Sequence, residues 1–150
     1  MPKAIIFDWG RTLFDNDLGR EAEGAEQILK LCREKGYKIA LVSKVSGNNT
    51  VQGRTEIIEN SPLRQFFEMY FVTDLDKDNF FDEIVGMWDL PRSEVMIVDD
   101  RTIRGIKYGN TLGHPTVWLE KGKYANERPN KETGAPTHTI SELRELLTII

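Results

Sequence analysis

Cysteine, long apolar runs and a strong charge of either sign are scarce in this chain of 150 residues. The one cysteine, Cys32, excludes an intramolecular disulfide, so nothing points to an oxidising compartment. No segment approaches the ~20 apolar residues of a membrane span, and Ala4–Phe7 is too short for a signal peptide. The net charge of −4 argues against non-specific binding to nucleic acid or to acidic membranes. These absences predict a cytoplasmic protein.

Apolar and amphipathic segments alternate along the chain, whose length suits one domain over residues 1–150. Runs that predict buried strands are Lys3–Phe7, Lys38–Val42, Met69–Val72, Glu94–Val98 and Thr116–Leu119. Segments that predict helices are Arg20–Lys35, Thr50–Asn60, Asn79–Trp88, Thr102–Asn110 and Ser141–Ile149, the last preceded by a possible capping box of Thr139 and Glu142.

This alternation indicates parallel strands joined by right-handed helical crossovers. Strands that are apolar throughout suit a sheet covered on both faces. The sequence therefore predicts an α/β fold, a three-layer α/β/α arrangement around a doubly wound parallel sheet of about five strands. The charged stretch Glu120–Thr137, with its glycines and prolines, predicts a surface loop.

Polar side chains stand at the carboxyl ends of the predicted strands, where open parallel sheets bind ligands. Asp8 ends the first strand, Ser43 the second, and Asp99 with Asp100 the fourth, while Lys77 follows the third. Carboxylate oxygens suit magnesium, and a carboxylate can act as a nucleophile through an aspartyl-phosphate. Lysine and serine can hold phosphoryl oxygens. The sequence therefore predicts a site that handles magnesium and phosphate.

Four segments resemble the motifs of the haloacid-dehalogenase-like superfamily, in the family's order and with similar spacing. Phe7–Leu13 resembles the first motif, an apolar strand followed by Asp-x-Asp-x-Thr. Leu41–Ser43 resembles the second, Lys77 the third and Val98–Asp100 the fourth. The resemblance extends from Ile5 to about Trp118. It implies the family's Rossmann-like core, with the predicted strands in the order 5-4-1-2-3.

The resemblance also implies roles for particular residues. Asp8 would be the nucleophile, Ser43 and Lys77 would hold the phosphate, and Thr12 would brace the loop after the first strand. The implied magnesium ligands are Asp8, the main-chain carbonyl of Gly10, Asp99 and Asp100.

Gly10 departs from the family pattern. The family's phosphatases carry a second aspartate at this position, where it serves as general acid and base. Such assistance is typically worth about 10²–10⁴-fold in rate. Gly10 therefore predicts a slow phosphatase, unless the leaving group is good or Asp15 or Asp17 acts as the general acid and base instead.

Two arginines depart from it as well. Arg11 takes a position that is usually glycine, and either reaches toward a substrate anion or points to solvent. Arg104 replaces an acid that many members carry, and Asp100 can compensate because an Asp-Asp pair is one form of the fourth motif. Few residues separate Leu13 from the next helix, which leaves no room for a sizeable cap domain. An open site suggests a bulky substrate, or an oligomer in which a partner subunit acts as the lid.

The predicted function is a magnesium-dependent phosphatase that acts on a phosphorylated small molecule or macromolecule. A non-catalytic or regulatory member of the superfamily is the first alternative, and Gly10 favours it. A metal-free carbon–halogen hydrolase is the second, and the pair Asp99–Asp100 argues against it. A phospho-receiver domain is the third, and it is disfavoured because its acid pair would follow the first strand rather than the fourth.

Overall fold

A parallel sheet of six strands runs through the computed structural model, which describes residues 2–150. Residues 2–150 form eight strands, six of them in this sheet and two in a separate ribbon. They are β1 (Ala4–Phe7), β2 (Phe14–Asp15), β3 (Arg20–Glu21), β4 (Lys38–Lys44), β5 (Met69–Thr73), β6 (Val95–Asp99), β7 (Thr116–Leu119) and β8 (His138–Ile140). The helices are α1 (Ala25–Glu34), α2 (Val51–Glu59), α3 (Asp78–Trp88) and α4 (Lys107–Leu112). Shorter helical turns cover Pro62–Phe66, Arg92–Glu94, Thr102–Ile106, Gly122–Tyr124 and Leu143–Thr148.

The sheet has the order β5-β4-β1-β6-β7-β8, and β2 pairs with β3 in a separate antiparallel ribbon. The five predicted strands therefore lie in the predicted order, with β8 added beside β7. Strand β1 is central, since it pairs with β4 on one side and β6 on the other. The predicted doubly wound parallel sheet is confirmed.

Each face of the sheet has its own apolar core, because successive residues of a strand point to opposite faces. Ile5 and Phe7 of β1 pack in a cluster with α1 and the carboxyl-terminal turn. Ala4 and Ile6 pack in a second cluster with α3 and Tyr108 of α4. The two clusters lie between the sheet and the helices on either side of it, which gives the predicted three layers. Because β1 is packed on both faces, its carboxyl end is held rigidly.

The first helix begins later than the predicted Arg20. Arg20 and Glu21 form β3 instead, and Gly24 adopts a left-handed conformation with φ 83° just before α1. Glycine reaches this backbone region without steric cost, so the chain turns there into the helix. The spacing of apolar residues could not predict this later start, because Ala22 continues the helical pattern across the turn.

The predicted helix over Thr102–Asn110 is interrupted. Its first part is a wide, kinked turn in which Arg104 has non-helical angles (φ −108°, ψ −107°), and α4 begins at Lys107. A β-carbon at Gly105 would lie 2.7 Å from Oδ2 of Asp99. This close approach to the end of β6 distorts the helix.

The carboxyl-terminal prediction was partly wrong. Ser141–Ile149 is not an α-helix but a 3₁₀ turn over Leu143–Thr148, preceded by the unpredicted strand β8. The capping box joins Glu142 and Glu145, not Thr139 and Glu142, since Thr139 pairs with Trp118 in the sheet. Among residues 2–150, no helix has the length and apolarity required to cross a membrane.

Candidate active site

Sheet pairing brings Asp8 and Asp99 to the same edge. Phe7 pairs with Val98, and the amide of Asp8 continues the ladder by donating to the carbonyl of Val98 at 3.0 Å. The side chains that follow β1 and β6 therefore stand next to each other at the carboxyl ends of their strands. Asp8 is 7% exposed and Asp99 is 1% exposed.

Lys77 joins the two carboxylates. Its ammonium lies 2.7 Å from Oδ1 of Asp8 and 3.2 Å from Oδ2 of Asp99, and the side chain is 2% exposed. The lysine precedes α3, which packs against the sheet, so its long stem crosses buried surface to reach the site. Removing the lysine would leave two buried carboxylates without their partner.

Main-chain amides hold Asp99 in place. The amide of Arg101 donates to Oδ1 and the amide of Gly105 donates to Oδ2, each at 3.0 Å. Because a carboxylate that accepts two amide hydrogen bonds cannot rotate freely, Asp99 keeps one fixed orientation. The kinked turn that interrupts the predicted helix therefore places the amide of Gly105 where it can bind Asp99.

The loop after β1 holds Asp8 from the other side. Thr12 donates from Oγ1 to Oδ2 of Asp8 at 3.1 Å. Arg11 adopts a left-handed conformation with φ 60°, a region that costs non-glycine residues roughly 1–2 kcal/mol. Its guanidinium pairs with the exposed Asp17 at 3.3 Å, and the residue also lines the cleft over Asp8, so the two predicted orientations both stay open.

Asp100 is the least satisfied acid of the site. Its Oδ2 is buried and has no hydrogen-bond partner, although its main-chain carbonyl accepts from the indole of Trp118 at 3.0 Å. Burial, together with the charges of Asp8 and Asp99, raises the pKa of Asp100 to about 10. A buried oxygen without a partner is rare in native proteins, and it leaves Asp100 with a free acceptor at the site.

The charges around Lys77 oppose the effect of burial. Burial alone would raise the pKa of Asp8, but attraction to Lys77 and hydrogen bonds from Lys77, Asp100 and Thr12 hold that pKa below its usual value. Burial likewise disfavours the charged lysine, but attraction to Asp8 and Asp99 raises the pKa of Lys77. Asp8 is therefore an ionised carboxylate in a buried position.

The three aspartates fit a divalent cation. One carboxylate oxygen from each of Asp8, Asp99 and Asp100 lies within 4.8 Å of the others. Magnesium prefers such hard oxygen donors, and the unpartnered Oδ2 of Asp100 offers one without breaking a hydrogen bond. The donor set therefore suits the predicted metal, with one lysine as the only close positive charge among the described contacts to these acids.

Ser43 lies at the end of β4, as predicted, but it has a partner that the sequence did not indicate. Its fully buried Oγ accepts a hydrogen bond of 2.7 Å from Nη1 of Arg54, a residue of α2. Burial lowers the pKa of Arg54, and the negative charge of Asp8 acts in the opposite direction. Helix α2 therefore carries a cation to the same edge of the sheet.

A cleft of about 350 Å³ opens over these residues. Two acids line it, Asp8 and Asp100, beside Gly10 and several polar side chains. Its basic lining residues are Arg11, Lys44, Arg54, Arg101, Arg104 and Lys123. The cleft is thus positive around a small acidic centre, although the whole chain has a net charge of −4.

The segment predicted as a surface loop contributes to this cleft. Lys123 and Tyr124 line it, and the guanidinium of Arg101 lies 3.8 Å from the centre of the Tyr124 ring. Glu127 binds Arg101 at 2.9 Å and accepts from Thr102. The loop therefore supports the turn after β6, a role that its composition alone could not reveal.

The predicted stand-ins for the missing acid do not line the cleft over Asp8. Oδ1 of Asp15 accepts from the amides of Asp17 and Leu18, which makes it the cap of a tight turn. Asp17 is engaged with Arg11. Trp9 is fully buried and stacks on Phe14, so it belongs to the core rather than to the site.

The chain is similar in sequence to known hydrolases. Residues 77–146 match the family model described as HAD-hydrolase-like. The chain is 28% identical over 137 residues to the glyceraldehyde 3-phosphate phosphatase of Pyrococcus furiosus, a match that covers 87% of this chain and 55% of that protein. The chain thus spans about half the length of the curated relatives it matches.

Solved structures share the fold. The HAD-hydrolase YfnB of Bacillus subtilis, bound to magnesium, superposes with a TM-score of 0.69 at 20% identity, over 89% of this chain and 57% of that one. CbbY of Rhodobacter sphaeroides, in complex with phosphate, gives a TM-score of 0.70 at 13% identity, over 97% and 96% of the two chains. At such identities the likeness shows a common fold alone.

Proposed function

We propose that this chain is a magnesium-dependent phosphatase of the haloacid-dehalogenase-like superfamily, acting through an aspartyl-phosphate on Asp8, and the match of residues 77–146 to the HAD-hydrolase-like family model supports this. One observation carries the proposal. An ionised, buried carboxylate, held by Lys77 and Thr12, stands at the floor of a cleft with a positive wall. A phosphorylated substrate would bring its negative charge to that wall and its phosphorus to Asp8.

Asp8 has the properties of a nucleophile. One of its oxygens is bound by Lys77 and the other by Thr12, which fixes the carboxylate relative to the cleft. A fixed nucleophile gains rate because little orientational freedom remains to be lost on reaction. Attack on phosphorus would form the aspartyl-phosphate and release the rest of the substrate, and water would then free inorganic phosphate.

Three donors can hold the transferring phosphoryl group. Lys77, Ser43 and Arg54 lie around the carboxyl ends of β5, β4 and β1. Fixed donors of this kind stabilise the charge that develops in a phosphoryl-transfer transition state. Arg54 would share its hydrogen bond between Ser43 and the phosphoryl oxygens.

Asp8, Asp99 and Asp100 would hold the cation, with the carbonyl of Gly10 as the further ligand that the family resemblance implies. When bound, Mg²⁺ supplies positive charge that neutralises the carboxylates and the phosphoryl oxygens. The amides of Arg101 and Gly105 would keep Asp99 oriented toward it.

The site would be open to solvent. Only the β2–β3 ribbon stands between β1 and α1, so this connection carries no cap domain. The proposed substrate is a phosphorylated small molecule, the broad class to which the compound named for the relative from P. furiosus belongs. A partner subunit remains a proposed source of a lid.

The test is release of phosphate from para-nitrophenyl phosphate by the purified protein with Mg²⁺, beside Asp8→Asn and a chelator control. We expect magnesium-dependent turnover that Asp8→Asn abolishes. Turnover equal in the protein and in Asp8→Asn would contradict the proposal. Turnover that survives the chelator would contradict the role of magnesium alone.

Gly10 supports a second candidate, a regulatory protein that binds phosphorylated ligands without turnover. It keeps the cleft and the acidic centre but has no carboxylate at this position. Tight binding of inorganic phosphate or a phosphorylated ligand, with no phosphate release from any substrate, would favour this candidate.

A further inference from the structure

The space beside Gly10 is bordered by side chains that do not give up a proton near neutral pH. A β-carbon at Gly10 would lie 3.4 Å from Nδ2 of Asn16 and 3.6 Å from Nη1 of Arg54. An amide and a guanidinium donate hydrogen bonds but do not act as acids near neutral pH. The region next to the nucleophile therefore offers stabilisation without proton transfer.

The rest of the cleft does not supply the missing acid. Among residues 2–150, the carboxyl groups that line it belong to Asp8 and Asp100 alone, which the proposed function already uses as nucleophile and cation ligand, and no histidine, cysteine or glutamate lines it. Within residues 2–150, four of its basic side chains have no carboxylate within 4.0 Å: Lys44, Arg54, Arg104 and Lys123. The described lining of the cleft thus combines free positive charge with no histidine, and with no carboxylic acid that lacks another proposed role.

This combination selects a leaving group by its chemistry. An alkoxide leaves poorly unless an acid protonates it, whereas a carboxylate or a phosphate leaves as a stable anion. Such an anion would also be attracted by the unpaired cations of the cleft. General acid assistance, worth about 10²–10⁴-fold for a poor leaving group, is of little use for a good one.

We propose that the substrates are phosphoric anhydrides, in which phosphorus is joined through oxygen to an acyl or a second phosphoryl group, rather than alkyl phosphate monoesters. This inference rests on the proposed phosphatase function and names its substrate class. Asn16 binds the departing oxygen together with Arg54, whose several N–H donors also contact the transferring phosphoryl group, and the wall of Lys44, Arg104 and Lys123 binds the rest of the anion.

The reaction balances without a protein acid. An oxygen of Asp8 bonds to phosphorus while the bond from phosphorus to the bridging oxygen breaks, and the electron pair leaves with that oxygen as a carboxylate or phosphate. Water then bonds to phosphorus and the bond to Asp8 breaks. The released phosphate keeps one proton of the water and the other passes to solvent, so Asp8 returns as a carboxylate.

The test measures kcat/KM with Mg²⁺ for acetyl phosphate, pyrophosphate, glycerol phosphate and a series of aryl phosphates whose phenols differ in pKa, each corrected for the Asp8→Asn background. The parameter kcat/KM reports departure of the leaving group whichever step limits kcat. We expect at least one anhydride to exceed glycerol phosphate by about 100-fold or more. We also expect kcat/KM to fall steeply as the pKa of the phenol rises.

Gly10→Asp supplies the missing acid, and Gly10→Asn is its matched control of the same size without a proton to give. The space at Gly10 accepts a side chain, since its nearest neighbours are the ends of two side chains. We expect Gly10→Asp to raise kcat/KM for glycerol phosphate and to flatten the dependence on the phenol pKa. Gly10→Asn should do neither.

Arg54→Gln tests the anion contact, with the exposed Arg20→Gln as its control outside the cleft. We expect Arg54→Gln to lower kcat/KM for anhydrides by about 10–100-fold, the loss expected for a charged hydrogen bond to a developing anion. Arg20→Gln should match the unaltered protein.

The outcomes separate the two proposals. No phosphate release from any compound would overturn the phosphatase function, and the inference with it. Good turnover of glycerol phosphate, or a shallow dependence on phenol pKa in the unaltered protein, would overturn the anhydride class while leaving the phosphatase function intact. This comparison does not depend on either Gly10 variant folding.

Discussion

Two networks of charged side chains, one buried and one partly exposed, stand at opposite ends of the sheet, and they differ in how far their polar atoms are satisfied. The active-site network joins Asp8, Lys77 and Asp99 at the carboxyl ends of the strands. The second network joins Asp82 of α3 to Tyr108 of α4 and lies near Val95, where β6 begins. Both hold ionised side chains in place through hydrogen bonds across several elements.

The second network is closed. Arg92 donates to Asp82 at 3.1 Å and to the hydroxyl of Tyr108 at 2.6 Å, and lies 3.1 Å from Nε2 of His114. The other ring nitrogen of His114 lies 2.8 Å from the carbonyl of Val95, to which it must donate. Each group thus has a partner within the protein.

The active-site network is open. Three acids face one lysine, and Oδ2 of Asp100 has no partner at all. The unpartnered oxygen lowers the stability of the free protein, because a buried polar atom without a hydrogen bond costs about 1–3 kcal/mol. We infer from this difference that the closed network serves the fold, and it supports the proposal that the open one binds a ligand.

Exchanging one carboxyl for an amide in each network gives the largest contrast. We expect Asp8→Asn to lower phosphate release by about 10³-fold or more, since it removes the nucleophile. We expect Asp82→Asn to leave release within about two-fold while lowering the free energy of unfolding by ~1 kcal/mol. Turnover assays and urea unfolding of the two variants check this. A large activity loss in Asp82→Asn would break the division between the networks.

Removal of the lysine tests how much charge the open network must neutralise. We expect Lys77→Met to lower the free energy of unfolding by about 3–5 kcal/mol, because two buried carboxylates lose their partner. Lys107→Met, an exposed lysine of α4, should change it by less than ~0.5 kcal/mol. Denaturant titration measures both. Equal effects would show that Lys77 is not essential to the buried charges.

Magnesium should stabilise the protein through the open network. At 100 times its dissociation constant, a ligand of the folded state adds about 2.7 kcal/mol. We expect Asp100→Asn to remove the shift of Tm by Mg²⁺ while leaving the metal-free protein at least as stable, because it relieves a crowded acidic cluster. Differential scanning calorimetry with and without Mg²⁺ measures this. Asp82→Asn, as control, should keep the shift.

Acid should weaken the closed network by a smaller amount. Burial lowers the pKa of His114 below 6.5, so the unfolded chain binds a proton that the folded chain does not. The free energy of unfolding should therefore fall as pH decreases below about 6.5, by at most ~1.4 kcal/mol per pH unit. The part due to His114 is the difference between the protein and His114→Gln. The exposed His138→Gln should keep the full dependence.

Strand order and the acidic centre could be predicted because both follow from local patterns. Apolar runs give the strands, and polar residues at their ends meet wherever parallel strands share an edge. Asp8, Ser43, Lys77 and Asp99 were found in this way, and the edge of the sheet brings them together.

Other features depend on contacts distant in sequence. Arg54 lies on the weakly amphipathic helix α2, and nothing local to it reveals the hydrogen bond to Ser43. Tyr124 reaches the cleft only because Glu127 binds the turn after β6. Strand β8 is three residues long, too short for a periodic pattern to distinguish it from a loop.

The most direct test of the central claim is to find the phosphoryl group on the protein. The chain is mixed with Mg²⁺ and acetyl phosphate, quenched in acid, digested and analysed by mass spectrometry, with Asp8→Asn treated in parallel. We predict the mass of one added phosphoryl group on the peptide that contains Asp8, absent when magnesium is chelated. Phosphate released in steady turnover with no modified peptide, or the same modification in Asp8→Asn, would contradict the account.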